Sequence, residues 1–218
     1  MRGPRVSVLV IAPHPDDEAI GCGGAVAHHA ARGERVTVAF LTSGELGLRD
    51  LPREEAWRVR EGEAEQAAAV LGVAALHFLR RPDWFVGDGV EDAARALRPV
   101  LEGAAPRTIY LPHPGEWHPD HQAALPVLRS AHAPGGPPAE LRLYEVWTPL
   151  AACDHLEDVS ATMPRKLRAV RCYRSQLAGF RYDRAVRGLN AYRGALGARC
   201  AYAEGYAIGA SGAAGPLA

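Results

Sequence analysis

The sequence predicts an α/β fold, a single domain built on a mostly parallel sheet. Two observations predict it. Short β-branched apolar runs alternate with longer segments of helical pattern. The first of those runs is apolar almost throughout, as a strand buried on both faces must be. With 218 residues, 48% hydrophobic and 23% charged, the chain can bury one sizeable core.

Residues 5–12 (R-V-S-V-L-V-I-A) read as the first strand. A loop P-H-P-D-D-E and then G-C-G-G lead into an Ala-rich helix that runs to Ala31 and stops at Gly33. Residues 35–42 (R-V-T-V-A-F-L-T) are the second strand. Pro52 suits the first turn of a long helix and Gly72 its end. Residues 74–79 form a third strand, 91–101 a third helix and 108–111 (T-I-Y-L) a fourth strand. A Pro/Gly/His loop precedes a helix over 119–132, and A-P-G-G-P-P at 133–138 is a surface loop. Residues 141–147 read as a fifth strand, and 165–176 and 182–196 as two further helices. Residues 209–218 are small and Gly/Ala-rich, the composition of a frayed tail. No internal repeat or linker divides the chain, so 1–218 is taken as one domain, a Rossmann-like three-layer α/β/α arrangement.

The 25 basic and 25 acidic side chains cancel, which offers no strong attraction for nucleic acid or an anionic membrane. All but one of the basic residues are arginine; Lys166 is the exception. The four cysteines, Cys22, Cys153, Cys172 and Cys200, form no C-x-x-C pair, and reduced thiols in a cytoplasm are expected. The apolar run after Arg5 is too short to span a membrane and carries no small-residue cleavage site.

Chemistry concentrates in two loops, 13–24 and 112–121, which follow the first and fourth strands. In parallel sheets ligands bind beyond the carboxyl ends of the strands, so the two can meet. The first loop packs His14, Asp16, Asp17 and Glu18 together. Neighbouring carboxylates repel, and a divalent cation or a helix N-terminus relieves that repulsion. The second reads H-P-G-E-W-H-P-D-H from His113 to His121. Pro119 at a first helical position makes His118 the N-cap and puts His121 one turn on. His and Asp ligands with a position left for water are the usual pattern of a catalytic zinc site. Helix capping alone accounts for H-P-D-D-E in isolation, but not for two His-rich loops at equivalent sheet ends.

P-H-P-D-D-E at 13–18 with H-P-D-H at 118–121 resembles the LmbE-like, PIG-L superfamily of zinc-dependent N-deacetylases. T-S-G-E-L-G at 42–47, Arg60 with Glu63, L-G-V at 71–73, R-C-Y-R-S-Q at 171–176 and Y-A-E-G-Y at 202–206 support the resemblance. It implies His14, Asp17 and His121 as ligands of zinc or of another divalent metal such as Fe2+. It implies Asp16 as general base, His118 as stabiliser of the oxyanion or proton donor to the amine, and Asp120 as the residue orienting His118. The implied substrate is a small amino-sugar conjugate, and the implied assembly a homo-oligomer, trimer or hexamer.

Where some relatives carry a mobile tyrosine, this chain has Glu116, followed by Trp117. Arg60, Arg49 and Trp117 are the candidate substrate contacts; on a helix three residues before Glu63, Arg60 equally suits a surface ion pair. G-C-G-G at 21–24 reads as close helix packing rather than dinucleotide binding. Two other functions fit the motifs: hydrolysis of an ester or phosphoester, and a non-catalytic, metal-stabilised sugar-binding module. A base beside the ligands favours catalysis, since a binding module has no use for one.

Overall fold

The computed structural model describes residues 7–132 and 139–210. Its strands are β1 (Ser7–Ala12), β2 (Arg35–Phe40), β3 (Ala75–Phe78), β4 (Thr108–Pro112), β5 (Glu140–Tyr144), β6 (His155–Asp158) and β7 (Ala203–Ala210). Its α-helices are α1 (Asp17–Ala31), α2 (Arg53–Leu71), α3 (Val90–Ala104), α4 (Pro119–Ala131), α5 (Met163–Val170), α6 (Arg174–Leu177) and α7 (Tyr182–Arg193). One sheet takes all these strands in the order β3-β2-β1-β4-β5-β7-β6. β1 to β5 pair in parallel, and β7 runs antiparallel to both β5 and β6.

Alternation along the strands divides the core. Val8, Val10, Val36, Val38 and Phe40 point to one face and pack with residues of α1, α2, α5 and α7. Leu9, Ile11, Ile109, Leu111, Leu141 and Leu143 point to the other and meet α3 and α4. That is the three-layer arrangement the sequence predicts. Among the described residues no helix is long and apolar enough to cross a membrane.

The glycines of G-C-G-G do close packing. A Cβ on Gly21 would lie 2.2 Å from the Tyr144 ring, and one on Gly24 would lie 2.6 Å from Val159. Between them α1 kinks at Cys22 (φ −137°, ψ 18°). Just beyond the kink, Glu204 accepts the N–H groups of Gly24 at 2.7 Å and Ala25 at 2.9 Å, together with Lys166 Nζ at 2.6 Å. A carboxylate inserted into the ladder is a recognised cause of such a bend.

Several boundaries differ from expectation. β5 ends at Tyr144 rather than 147, because Glu116 takes the N–H groups of Val146, Trp147 and Thr148. The helix expected over 165–176 breaks between α5 and α6, where Tyr173 turns into the core. The helix expected over 182–196 ends at Arg193 and runs into a wider turn, Gly194–Ala198. β6 and β7 were not expected. Residues 209 and 210 belong to β7 rather than to a frayed tail. The loop at 133–138, the start of the first strand at 5–6 and residues 211–218 lie outside the described residues.

Candidate metal centre

β1 lies between β2 and β4, so the connections leaving its two neighbours run in opposite directions and a crevice opens at its carboxyl end. The 13–16 loop and the start of α1 enter that crevice from β1, and the 113–118 loop and the start of α4 enter it from β4. Asp16 sits at the entry to α1 with φ 128° and ψ −29°, a conformation strained for any residue with a side chain. Arg60 on α2 donates NH2 to the carbonyl of Pro15 at 2.6 Å and lies 3.5 Å from Asp16 Oδ2.

Three of the predicted residues converge. His14 Nδ1, Asp17 Oδ2 and His121 Nε2 form a triangle whose sides are each 3.3 Å. A tetrahedral ion with bonds of about 2.0–2.1 Å needs ligand atoms about 3.3–3.4 Å apart. The other nitrogen of His14, Nε2, lies 3.1 Å from Asp120 Oδ2 and 3.1 Å from Asp83 Oδ1. Carboxylates behind a metal-ligating imidazole hold its tautomer and orientation. The donor set therefore fits a divalent cation. Two other groupings, His14 with His118 and His121, and His14 with Asp83, His118 and Asp120, have ligand atoms within 4.8 Å of one another, and both share the His14 ring.

Charge at the cluster follows from its geometry. Burial pushes the Asp17 carboxyl up, but His121 and His14 outweigh it and hold the group well below the usual carboxylate range. Burial opposes protonation of His14, yet Asp120, Asp17 and Asp83 raise it well above the ordinary imidazole value. Burial pushes Asp16 up to about 7 against the pull of Arg60, and a cation in the adjoining triangle would draw it back down.

His118 caps α4 as expected, and its Nδ1 accepts the backbone N–H of Asp120 at 3.2 Å. Burial, with His14 and His121 beside it, lowers its pKa to about 4. Asp120, expected to orient His118, meets that ring through its backbone N–H, while its carboxylate bonds His14 and also accepts the N–H groups of Trp84 at 2.7 Å and Val86 at 3.0 Å.

The centre opens into a cleft of about 350 Å³ lined by His14, Asp16, Asp17, His118 and all three candidate substrate contacts. Trp117 is 54% exposed at the mouth, within ring contact of His118, Trp84 and Trp147. Arg49 lines the same cleft and stands exposed, its Nε donating to the carbonyl of Leu46. Arg60 is not a surface partner of Glu63: it is 2% exposed, and Glu63 accepts from Ser175 instead. His113 shapes its loop, with Nε2 on the Thr148 carbonyl and Nδ1 accepting the Gly115 N–H. Sequence reasoning missed Asp83 and Trp147. Both follow strands at the carboxyl edge of the sheet, which was the one available signal.

A buried His/Asp constellation at the switch point of a parallel sheet defines an α/β protein with a candidate metal centre. Comparison with known proteins places it further: the model for PIG-L, GlcNAc-PI de-N-acetylase, matches residues 9–132, and the chain belongs to that family, one of enzymes. A 1D-myo-inositol 2-acetamido-2-deoxy-alpha-D-glucopyranoside deacetylase of Thermomonospora curvata is 33% identical over 178 residues, 65% of this chain and 60% of that protein. The diacetylchitobiose deacetylase of Thermococcus kodakarensis is 31% identical over 190 residues, 78% of this chain and 69% of that protein. A conserved protein of Thermus thermophilus superposes with a TM-score of 0.75 at 32% identity, covering 93% of this chain and 94% of that one. The chain spans about 60% of the length of the inositol-type relative.

Proposed function

We propose that the protein hydrolyses the acetamide of an N-acetylglucosamine-type glycoside, releasing acetate and a free amine, with one divalent cation, zinc. His14 through Nδ1, Asp17 through Oδ2 and His121 through Nε2 would hold the ion. The observation that carries this reading is the triangle of 3.3 Å sides with a further buried carboxylate, Asp16, on the wall of the same cleft. The relatives' deacetylase activity supports it.

When bound, a divalent ion there acidifies water toward neutral pH and polarises an amide carbonyl. Asp16 accepts the proton of the attacking water and holds it for the departing amine. With Nδ1 occupied by the Asp120 N–H, a neutral His118 carries its hydrogen on Nε2, a donor for the oxygen on which charge develops. Asp120 and Asp83 fix the His14 ring. Arg49, Arg60 and Trp117, which line the cleft, are assigned to the sugar and its aglycone.

A free-amine assay over a panel of N-acetylglucosamine glycosides, with zinc present, tests the reading. Amine release on one or more members, lost in Asp16→Asn, is the expected result. Ester hydrolysis without amide hydrolysis on matched substrates would overturn it.

A further inference from the structure

Two motifs of the sequence, Arg60 with Glu63 and R-C-Y-R-S-Q at 171–176, have no complete part in the chemistry above. They converge beneath the 13–18 loop. The Asp16 N–H donates to Glu18 Oε2 at 3.1 Å, and the Tyr173 hydroxyl donates to Glu18 Oε1 at 2.5 Å. Glu18 is 2% exposed and Tyr173 1%. Tyr173 lies in the break between α5 and α6, and Glu63 on α2 pins that break by accepting Ser175 N–H at 2.8 Å and Ser175 Oγ–H at 2.7 Å. One turn earlier on α2, Arg60 holds the Pro15 carbonyl, the other end of the peptide group whose N–H Glu18 accepts.

A buried glutamate is costly where a hydrophobe would fill the space. This one spends both oxygens on the residue whose backbone is strained and on the tyrosine behind it. Asp16 has no side-chain capping bond to hold its φ of 128°. A strained conformation persists only where its surroundings over-determine it. We propose that Glu18, backed by Tyr173, is a positioning residue that holds residue 16 in its strained conformation and so sets where the Asp16 carboxylate stands. The conformational half stands on geometry alone; the catalytic half rests on reading Asp16 as the base.

Thermal melts of the full chain at a fixed zinc concentration test the first half. Glycine adopts this φ without strain, so Asp16→Gly is expected to melt above Asp16→Ala by about 5 °C while Glu18 is present. In a Glu18→Ala background the loop relaxes and the gap closes to about 1 °C or less. A gap of unchanged size overturns the proposal.

Kinetics on N,N′-diacetylchitobiose test the second half. Glu18→Ala is expected to lower kcat about tenfold, with KM and zinc affinity within about twofold, because a misplaced base costs rate rather than binding. Glu18→Gln recovers most of the rate, since its amide oxygen still accepts the Asp16 N–H and its NH2 can donate to Tyr173. In an Asp16→Asn background the loss from Glu18→Ala disappears. A loss that persists there, or one matched by lost zinc, overturns the positioning role. Full activity in Asp16→Asn, or no turnover of this probe by the unmodified chain, counts against the proposed function instead, and the melting gap still decides the conformational claim.

Discussion

Nε2 of His14 lies 3.1 Å from Oδ2 of Asp120, while Nδ1 of the same ring faces Asp17 and His121. The imidazole is thus polarised in one direction, with a carboxylate behind it and the candidate ligand triangle in front. Asp120 does this from the first turn of α4 while also receiving the Trp84 and Val86 N–H groups. One side chain therefore joins β1, α4 and the loop after β3.

Replacing Asp120 by alanine should weaken zinc binding about 10–100-fold, the usual cost of losing such a partner. It should also destabilise the fold by about 2 kcal/mol, because two N–H groups lose their acceptor. Competition against a chelating dye reads the first effect and denaturant unfolding the second. Unchanged zinc affinity would remove Asp120 from the support of His14.

The two histidines of H-P-D-H should separate cleanly. His121→Ala removes a corner of the triangle and should cost zinc affinity about 100-fold or more. His118→Ala should leave zinc affinity within about threefold and lower kcat about 100-fold, as loss of an oxyanion donor does. Asp16→Asn should keep the metal and lose turnover. Equal metal loss in both histidine variants would place His118 among the ligands, as the grouping of His14, His118 and His121 allows.

Much of this arrangement is legible in the sequence because it is local. The continuous apolar run of β1 marks a central parallel strand, and Pro119 fixes His118 as an N-cap. The illegible parts depend on partners far along the chain. β7 reads poorly as a strand because it holds two glycines and Glu204, and that glutamate is tolerated because Lys166, 38 residues earlier, and the Gly24 and Ala25 N–H groups of α1 meet it in the core. β6, H-L-E-D, is an edge strand with a single apolar residue, too little for a period to show. Glu116 ends β5 from 30 residues away. Asp83 carries no motif; it reaches His14 only after the sheet has assembled.

Glu116 yields a sharper prediction than its position in the motif suggests. It is 1% exposed, and it accepts three successive N–H groups, from Val146 to Thr148, that shape the turn carrying Trp147. Glu116→Ala leaves those half-buried donors without their acceptor and should destabilise the protein by about 2–3 kcal/mol. Near-UV circular dichroism should change at the same time, because Trp147 sits against Trp117, Phe180 and Tyr182. A melting temperature equal to that of the unmodified chain would mean that water replaces the carboxylate.

Glu61 should make stability depend on pH at the acidic end. Burial pushes its carboxyl up, but hydrogen bonds from Arg80 and Ser43 outweigh that and hold it below the usual range. Arg80 meets it with two bonds, at 2.8 and 2.9 Å, and Ser43 Oγ with one at 2.7 Å. A carboxyl depressed in the folded state stabilises fully above its unfolded pKa, about 4.3, and that stabilisation fades as pH falls through the folded value. Because Arg80 is 51% exposed, solvent screening limits the contribution to about 0.5–1 kcal/mol. The unmodified chain should therefore resist urea better than Glu61→Gln at pH 7 by about that amount, and the two should converge as pH falls through the lowered folded value. A difference that stays constant from pH 7 to pH 3 would assign the effect to packing of the side chain rather than to its charge.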